Sequence, residues 1–171
     1  MRHTFAPTEA VWTTIKEFVA ANHPTIGVVV AQFNQHLTQQ LQEGAMQVLQ
    51  DAGIYNNKLI LLEAPGAFEL PVLAKHLIKT AKCHAVICLG VVIQGDTPHF
   101  DFVCTEAARG IQNIALDTGC PVIFGVLTTN TYEQAELRAN PEKDNKGGYA
   151  ALAALQTLMA IHQLPENSMI Y

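Results

Sequence analysis

Charge is scarce in this 171-residue sequence, with Asp, Glu, Lys and Arg together making up 15% of it. The 10 Lys+Arg set against 15 Asp+Glu offer no basic stripe that could neutralise a phosphate backbone, which speaks against nucleic acid as a partner. Long apolar runs are missing as well. The longest, Ala85 to Ile93, has the length of a strand and falls far short of the roughly 20 residues a membrane-spanning helix needs. Cysteine is limited to Cys83, Cys88, Cys104 and Cys120, without a Cys-x-x-Cys pair. Two of the four fall in apolar, strand-like runs, the pattern of buried thiols in a reducing compartment. A zinc site drawn from these residues and His84 matches none of the usual ligand spacings. The stretch from Met1 to Pro7 lacks the basic flank and apolar region of a secretory signal, which points to the cytoplasm. What is there is a composition 49% hydrophobic, long enough for one domain that folds without disulfides or metal. With so little charge to cover it, some apolar surface is expected to meet other subunits.

Short apolar runs alternate with longer amphipathic ones, as βαβ units and a parallel sheet require. Residues Thr25–Ala31, Lys58–Ala64, His84–Ile93 and Pro121–Thr128 read as strands without polar alternation, hence covered on both faces. Between them, Leu37, Leu41, Ala45, Val48 and Ala52 recur at helical spacing before Gly53, and Val103, Ala107, Ile111 and Ile114 do so before Gly119. Leu70, Leu73 and Leu77 make a third helix, and Ala151, Leu155 and Leu158 a last one. Residues 8 to 21 are also helical in spacing, with Thr8 as N-cap, and are read as an appendage. The expectation is a three-layer α/β/α sandwich around a four-stranded parallel, flavodoxin-like sheet, with residues 1–24 as an N-terminal extension and 25–171 as the domain.

Ligands in such sheets bind beyond the carboxyl ends of the strands. The loops there carry Phe33-Asn34, Pro65-Gly66-Ala67-Phe68-Glu69, Gly95-Asp96-Thr97-Pro98-His99 and Thr128-Thr129-Asn130. In the third, Gly95 permits a tight turn, Thr97 suits an N-cap and Pro98 the first helical position, so a helix start faces the ligand side and can bind an anion. Asp96 would repel that anion unless it points away. His99, in the first turn, suits acid/base work, and equally suits a structural hydrogen bond to its own loop. Phe33 offers a ring face to a flat heterocycle, although a Phe after a strand is often core. Arg138 can grip phosphate through its planar fork, or simply be solvated. Lys146 opens the last helix, where a cation opposes the dipole and hints at an anion nearby. His3, His23, His36, His76, His84 and His162 lie in duller surroundings, and Glu106 with Arg109 read as a surface pair.

The segments Gln32-Phe33-Asn34, Pro65-Gly66-Ala67-Phe68-Glu69-Leu70-Pro71, Gly95-Asp96-Thr97-Pro98-His99-Phe100-Asp101, Pro121 to Thr129 and Asn145-Lys146-Gly147 stand in an order and at distances that resemble the lumazine synthase family. The likeness spans nearly everything from Ile26 to Leu164. It implies condensation of 5-amino-6-(D-ribitylamino)uracil with 3,4-dihydroxy-2-butanone 4-phosphate to 6,7-dimethyl-8-ribityllumazine, phosphate and water, the penultimate step of riboflavin biosynthesis, with no cofactor and no metal. By that resemblance Phe33 stacks on the pyrimidine, while Ala67, Phe68, Glu69, Val91, Val92 and Ile93 bind the uracil and ribityl groups. Asp96, Thr97 and Arg138 hold the phosphate, Phe124 lines the pocket, and His99 is the acid/base. Phe124 and Arg138 would come from the neighbouring subunit of a pentamer, and some family members stack pentamers into icosahedral shells. A riboflavin synthase is a partner the resemblance also implies.

Three departures stand out. Gln94 replaces an Arg common in the family, Tyr149 replaces an acidic residue and removes an ion pair with Lys146, and the N-terminal segment reads as helix where relatives extend a strand onto a neighbour. Two other readings use the same residues: a flavin or lumazine carrier that has lost catalysis, and a structural shell protein. A carrier has no need of His99 and Arg138 together.

Overall fold

The chain is described by a computed structural model over residues 7–164; His3 and the start of the Met1–Pro7 stretch fall outside the described residues. The four apolar runs form β1 (Ile26–Ala31), β2 (Leu59–Ala64), β3 (Ala85–Ile93) and β4 (Val122–Thr129), each within a residue of its expected bounds. All pair in parallel, in the order β2-β1-β3-β4, so the two most fully buried strands, β1 and β3, occupy the centre. Every residue of β1 is buried. The helices are α1 (Glu9–Asn22), α2 (Gln35–Asp51), α3 (Leu70–Lys79), α4 (His99–Thr118), α5 (Tyr132–Ala139) and α6 (Lys146–His162).

Side chains leave the central strands alternately to two sides, as the pleat dictates. Val28, Val30, Ile87 and Leu89 join one apolar cluster with α1, α2, α5 and α6, and Val29, Ala31, Val86 and Cys88 join another with α3 and α4. The result is the expected three-layer α/β/α sandwich. Segment 8–21 does form a helix capped by Thr8, and it inserts Ile15 and Val19 into the first cluster. Gly53 (φ 94°) and Gly119 (φ 67°) end α2 and α4 in the left-handed region that Gly adopts without strain.

One motif takes a different meaning once packed. A Cβ on Gly147 would run into the Leu41 carbonyl, and one on Gly44 into the Asn145 side chain. Asn145 itself accepts from the Gly148 N–H at 2.9 Å and caps α6. The Asn-Lys-Gly-Gly sequence therefore lets α6 cross α2 at backbone distance.

Of the cysteines, only Cys88 lies in a strand. Cys83 and Cys120 lie two residues before the starts of β3 and β4, in the loops that lead into them, and Cys104 is on α4. Cys83 and Cys88 are buried, whereas Cys104 and Cys120 are half-buried.

Candidate active site

Where β1 parts from β3, at the carboxyl ends of the strands, lies a cleft of about 720 Å³, a size that suits a small organic ligand. Phe33 forms one wall and the Pro65–Glu69 loop another. Val91, Val92 and Ile93 line it from the end of β3, Gly95, Thr97 and His99 from the turn into α4, and Phe100, Phe102 and Val103 from α4 itself.

Backbone hydrogen bonds hold the first wall. Beyond β1, the Gln32 N–H donates to the Ala64 carbonyl (2.7 Å) and the Phe33 N–H to that of Pro65 (3.2 Å), which carries the β1–β2 ladder into the loops. Phe33 is 71% exposed, so it is no core residue. Asn34 follows with φ 57°, and its carbonyl accepts from the N–H groups of Leu37 (2.9 Å) and Thr38 (3.1 Å) to start α2. After β2, Ala67–Glu69 makes one tight 3-10 turn that leads directly into α3, with Ala67 buried beneath it and Phe68 exposed above. Glu69 folds back over Gly66, where an added Cβ would lie 3.2 Å from its Oε2.

The β3–α4 turn corrects two expectations. Helix α4 begins at His99 with Pro98 as its N-cap, one residue later than anticipated, and Thr97 makes no capping bond. The reason lies in the proline: its backbone (φ −63°, ψ −3°) is already helical, and its carbonyl accepts from the Asp101 N–H at 3.0 Å. Thr97 is left to face the cleft. Gly95 does not use the left-handed region open to glycine. Its φ lies outside that region, and a Cβ there would meet nothing within 4 Å, so it is a bare patch of backbone on the cleft.

His99 is exposed, lines the cleft, and makes no side-chain hydrogen bond to its own loop among the described residues. It sits beside the unpaired N–H groups and positive dipole end of α4, a place that favours an anion. Asp96 is exposed but does not line the cleft. Glu69 and His99 are thus the ionisable groups of a mostly apolar cavity.

Three anticipated residues lie elsewhere in this chain. Phe124 is on β4, one of the two outer strands of the sheet, and is 43% exposed. Arg138 is exposed in the last turn of α5. Lys146 opens α6, on the layer away from the cleft, and its Nζ lies 4.3 Å from the centre of the Tyr149 ring. A cation–π contact therefore stands where the ion pair is absent. Glu106 and Arg109 do pair on α4, at 3.6 Å and well exposed, as expected.

Sequence reasoning missed the contribution of Phe100 and Phe102. Phe102 directly precedes Val103 of the apolar stripe, so it cannot share that buried face, and a large exposed ring off the stripe was the available signal. The cysteines add no nucleophile: none lines the cleft, and burial pushes the thiol of Cys88 up to about 12 and that of Cys120 up to about 11. Among the described residues no group of His, Cys, Asp and Glu could hold a metal ion.

Comparison with known proteins matches residues 23–162 to the family 6,7-dimethyl-8-ribityllumazine synthase. A protein of that name from Desulfatibacillum aliphaticivorans is 41% identical over 149 residues, an alignment that covers 87% of this chain and 96% of the relative.

Proposed function

The chain belongs to the 6,7-dimethyl-8-ribityllumazine synthase family, and from that premise we propose that it condenses 5-amino-6-(D-ribitylamino)uracil with 3,4-dihydroxy-2-butanone 4-phosphate. The products are the lumazine, phosphate and water, and the reaction needs no cofactor. It is the penultimate step of riboflavin biosynthesis and takes place in the cytoplasm. The observation that carries this reading is the convergence of Phe33, the Ala67–Glu69 turn, Val91–Ile93, Thr97 and His99 on one cleft.

In this reading the pyrimidine lies against the Phe33 ring, and backbone groups of Val91, Val92 and Ile93 bind its edge. The ribityl chain runs toward Ala67, Phe68 and Glu69, where a carboxylate can accept from hydroxyls. The phosphate sits at the start of α4 near Asp96 and Thr97, opposite the imidazole. The reaction begins when the uracil amine attacks the ketone of the second substrate. The carbinolamine loses water to give an imine, and a proton leaves C3 as phosphate departs from C4 with the C–O bond electrons. The enol so formed takes up a proton at C4 to become a C3 ketone, and the ribitylamino nitrogen closes the ring on that new carbonyl with loss of a second water. Every step moves a proton, and His99 is the group placed to take and return it, a role worth roughly 10²–10⁴-fold. Holding both substrates in register supplies much of the rest, on the order of 7–11 kcal/mol.

Arg138 and Phe124 complete the site from a neighbouring subunit in a pentamer, with Arg138 clamping the phosphate through two parallel N–H groups. Their exposure, outside the cleft of their own chain, supports that arrangement. Lys146 belongs to the support of α6 rather than to the substrate, because Tyr149 engages its charge.

The test is absorbance and fluorescence on mixing the protein with both substrates, against a protein-free control. Lumazine formed above background, and only with both substrates, is the expected result. No rate above background together with tight lumazine or flavin binding would make the protein a carrier instead.

A further inference from the structure

Asn34 breaks two local rules at once. It is the N-cap of α2, yet its backbone is left-handed (φ 57°, ψ 45°), and its side chain makes no capping bond. Caps ordinarily adopt an extended backbone and use the side chain on the first turn. Asn145 shares the left-handed backbone but does cap its helix. Helix initiation therefore does not account for the Asn34 amide.

Its Nδ2 instead donates to the Val91 carbonyl at 3.0 Å, across 57 residues of sequence. The pairing of β1 with β3 stops at Val30 and Leu89, while β3 runs on to Ile93. Past that last rung the Val91 carbonyl has no β1 backbone donor, and the asparagine side chain supplies one. On the other side, Gln32 is bonded to Ala64 at the end of β2 and Phe33 to Pro65 just beyond it. Phe33 is thus held from both sides, by its own N–H on the Pro65 carbonyl and through Asn34 on β3, and it lines the cleft together with Val91, Val92 and Ile93.

We propose that Asn34 is a positioning residue whose latch to Val91 fixes the separation between the Phe33 ring and the Val91–Ile93 segment, and so the slot for the flat uracil ring. This role rests on the function proposed above. A heterocycle must meet a stacking face and a hydrogen-bonding edge together, and a misplaced wall weakens the ligand that spans both. The phosphate substrate, bound at the start of α4, does not span that gap.

Two substitutions separate the latch from the backbone. Asn34→Gly keeps the left-handed conformation accessible and removes the donor. Asn34→Asp keeps the shape and turns an oxygen toward the Val91 carbonyl. Steady-state constants for each substrate are measured on both variants and the parent, with urea unfolding alongside. In both variants KM for the uracil should rise, by about tenfold in Asn34→Gly and more in Asn34→Asp, as expected for a lost hydrogen bond. KM for the phosphate substrate should stay within about twofold, and unfolding should remain cooperative. Equal rises in both KM values would make Asn34 a merely structural residue, and an Asn34→Gly enzyme with both constants unchanged would remove the latch. The parent's own rate keeps the two ideas apart: an inactive parent overturns the function and this role together, whereas an active parent with an unaffected Asn34→Gly variant overturns this role alone.

Discussion

An exposed imidazole at the first residue of α4, with no hydrogen bond to its own loop among the described residues, has little structural work to do. His99→Ala should therefore fold as the parent does and lower the single-turnover rate by roughly 10²-fold or more, with residual catalysis from substrate positioning. A variant within about twofold of the parent would take His99 out of the mechanism. The desolvated thiols make a second prediction at this scale. Cys88 and Cys120 are pushed up to about 12 and about 11 by desolvation, from an ordinary value of 9.0. Between that value and the raised ones the unfolded chain has released protons that the folded chain still holds, so stability falls as pH rises. The contribution is complete below about pH 8 and is lost between about pH 9 and 12. Urea unfolding midpoints of the parent and of Cys88→Ala across that range check it: the parent's alkaline loss should be the steeper, and parallel curves would refute the assignment.

At the scale of elements, the strands were legible because Val, Ile and Leu runs of strand length admit few other readings, and helix ends were legible where Gly53 and Gly119 follow the last apolar turn. What the sequence concealed depends on partners distant along the chain. Thr97 and Pro98 favour a helix start, but only the turn geometry decides which of them caps. Asn34 is bonded to Val91 across 57 residues, and no local pattern announces that. Gly147 looks like part of a ligand-binding motif, yet its bareness answers to the Leu41 carbonyl. Gly147→Ala should consequently force α6 away from α2 and cost about 3 kcal/mol, the upper part of the overpacking range. Chemical denaturation measures it, and a loss under about 0.5 kcal/mol would show that the crossing can relax. The cleft was readable as four loops after four strands, whereas its closure by Phe100 and Phe102 of α4 was not.

For the molecule as a whole, the proposed shared site has a consequence that a single chain cannot show. If His99 and Arg138 of one site come from adjacent subunits, His99→Ala and Arg138→Ala proteins unfolded together and reassembled as mixed rings should recover activity. Random mixing in a closed ring leaves about a quarter of sites with both groups intact. Recovery to about that fraction of the parent rate is expected, while sites built within one chain would always keep one defect and recover nothing. The strand order also sets a timetable. The fully buried β1 is first in sequence but central in the sheet, between β2 and β3. Sixty-two residues separate Ala31 from Ile93, so at ribosomal speeds of about 5–20 residues per second the apolar Ile26–Ala31 segment waits roughly 3–12 s for its second neighbour to be made. The strand that later lies deepest is, during synthesis, the one exposed longest, and a chaperone that binds the emerging chain would find its target there.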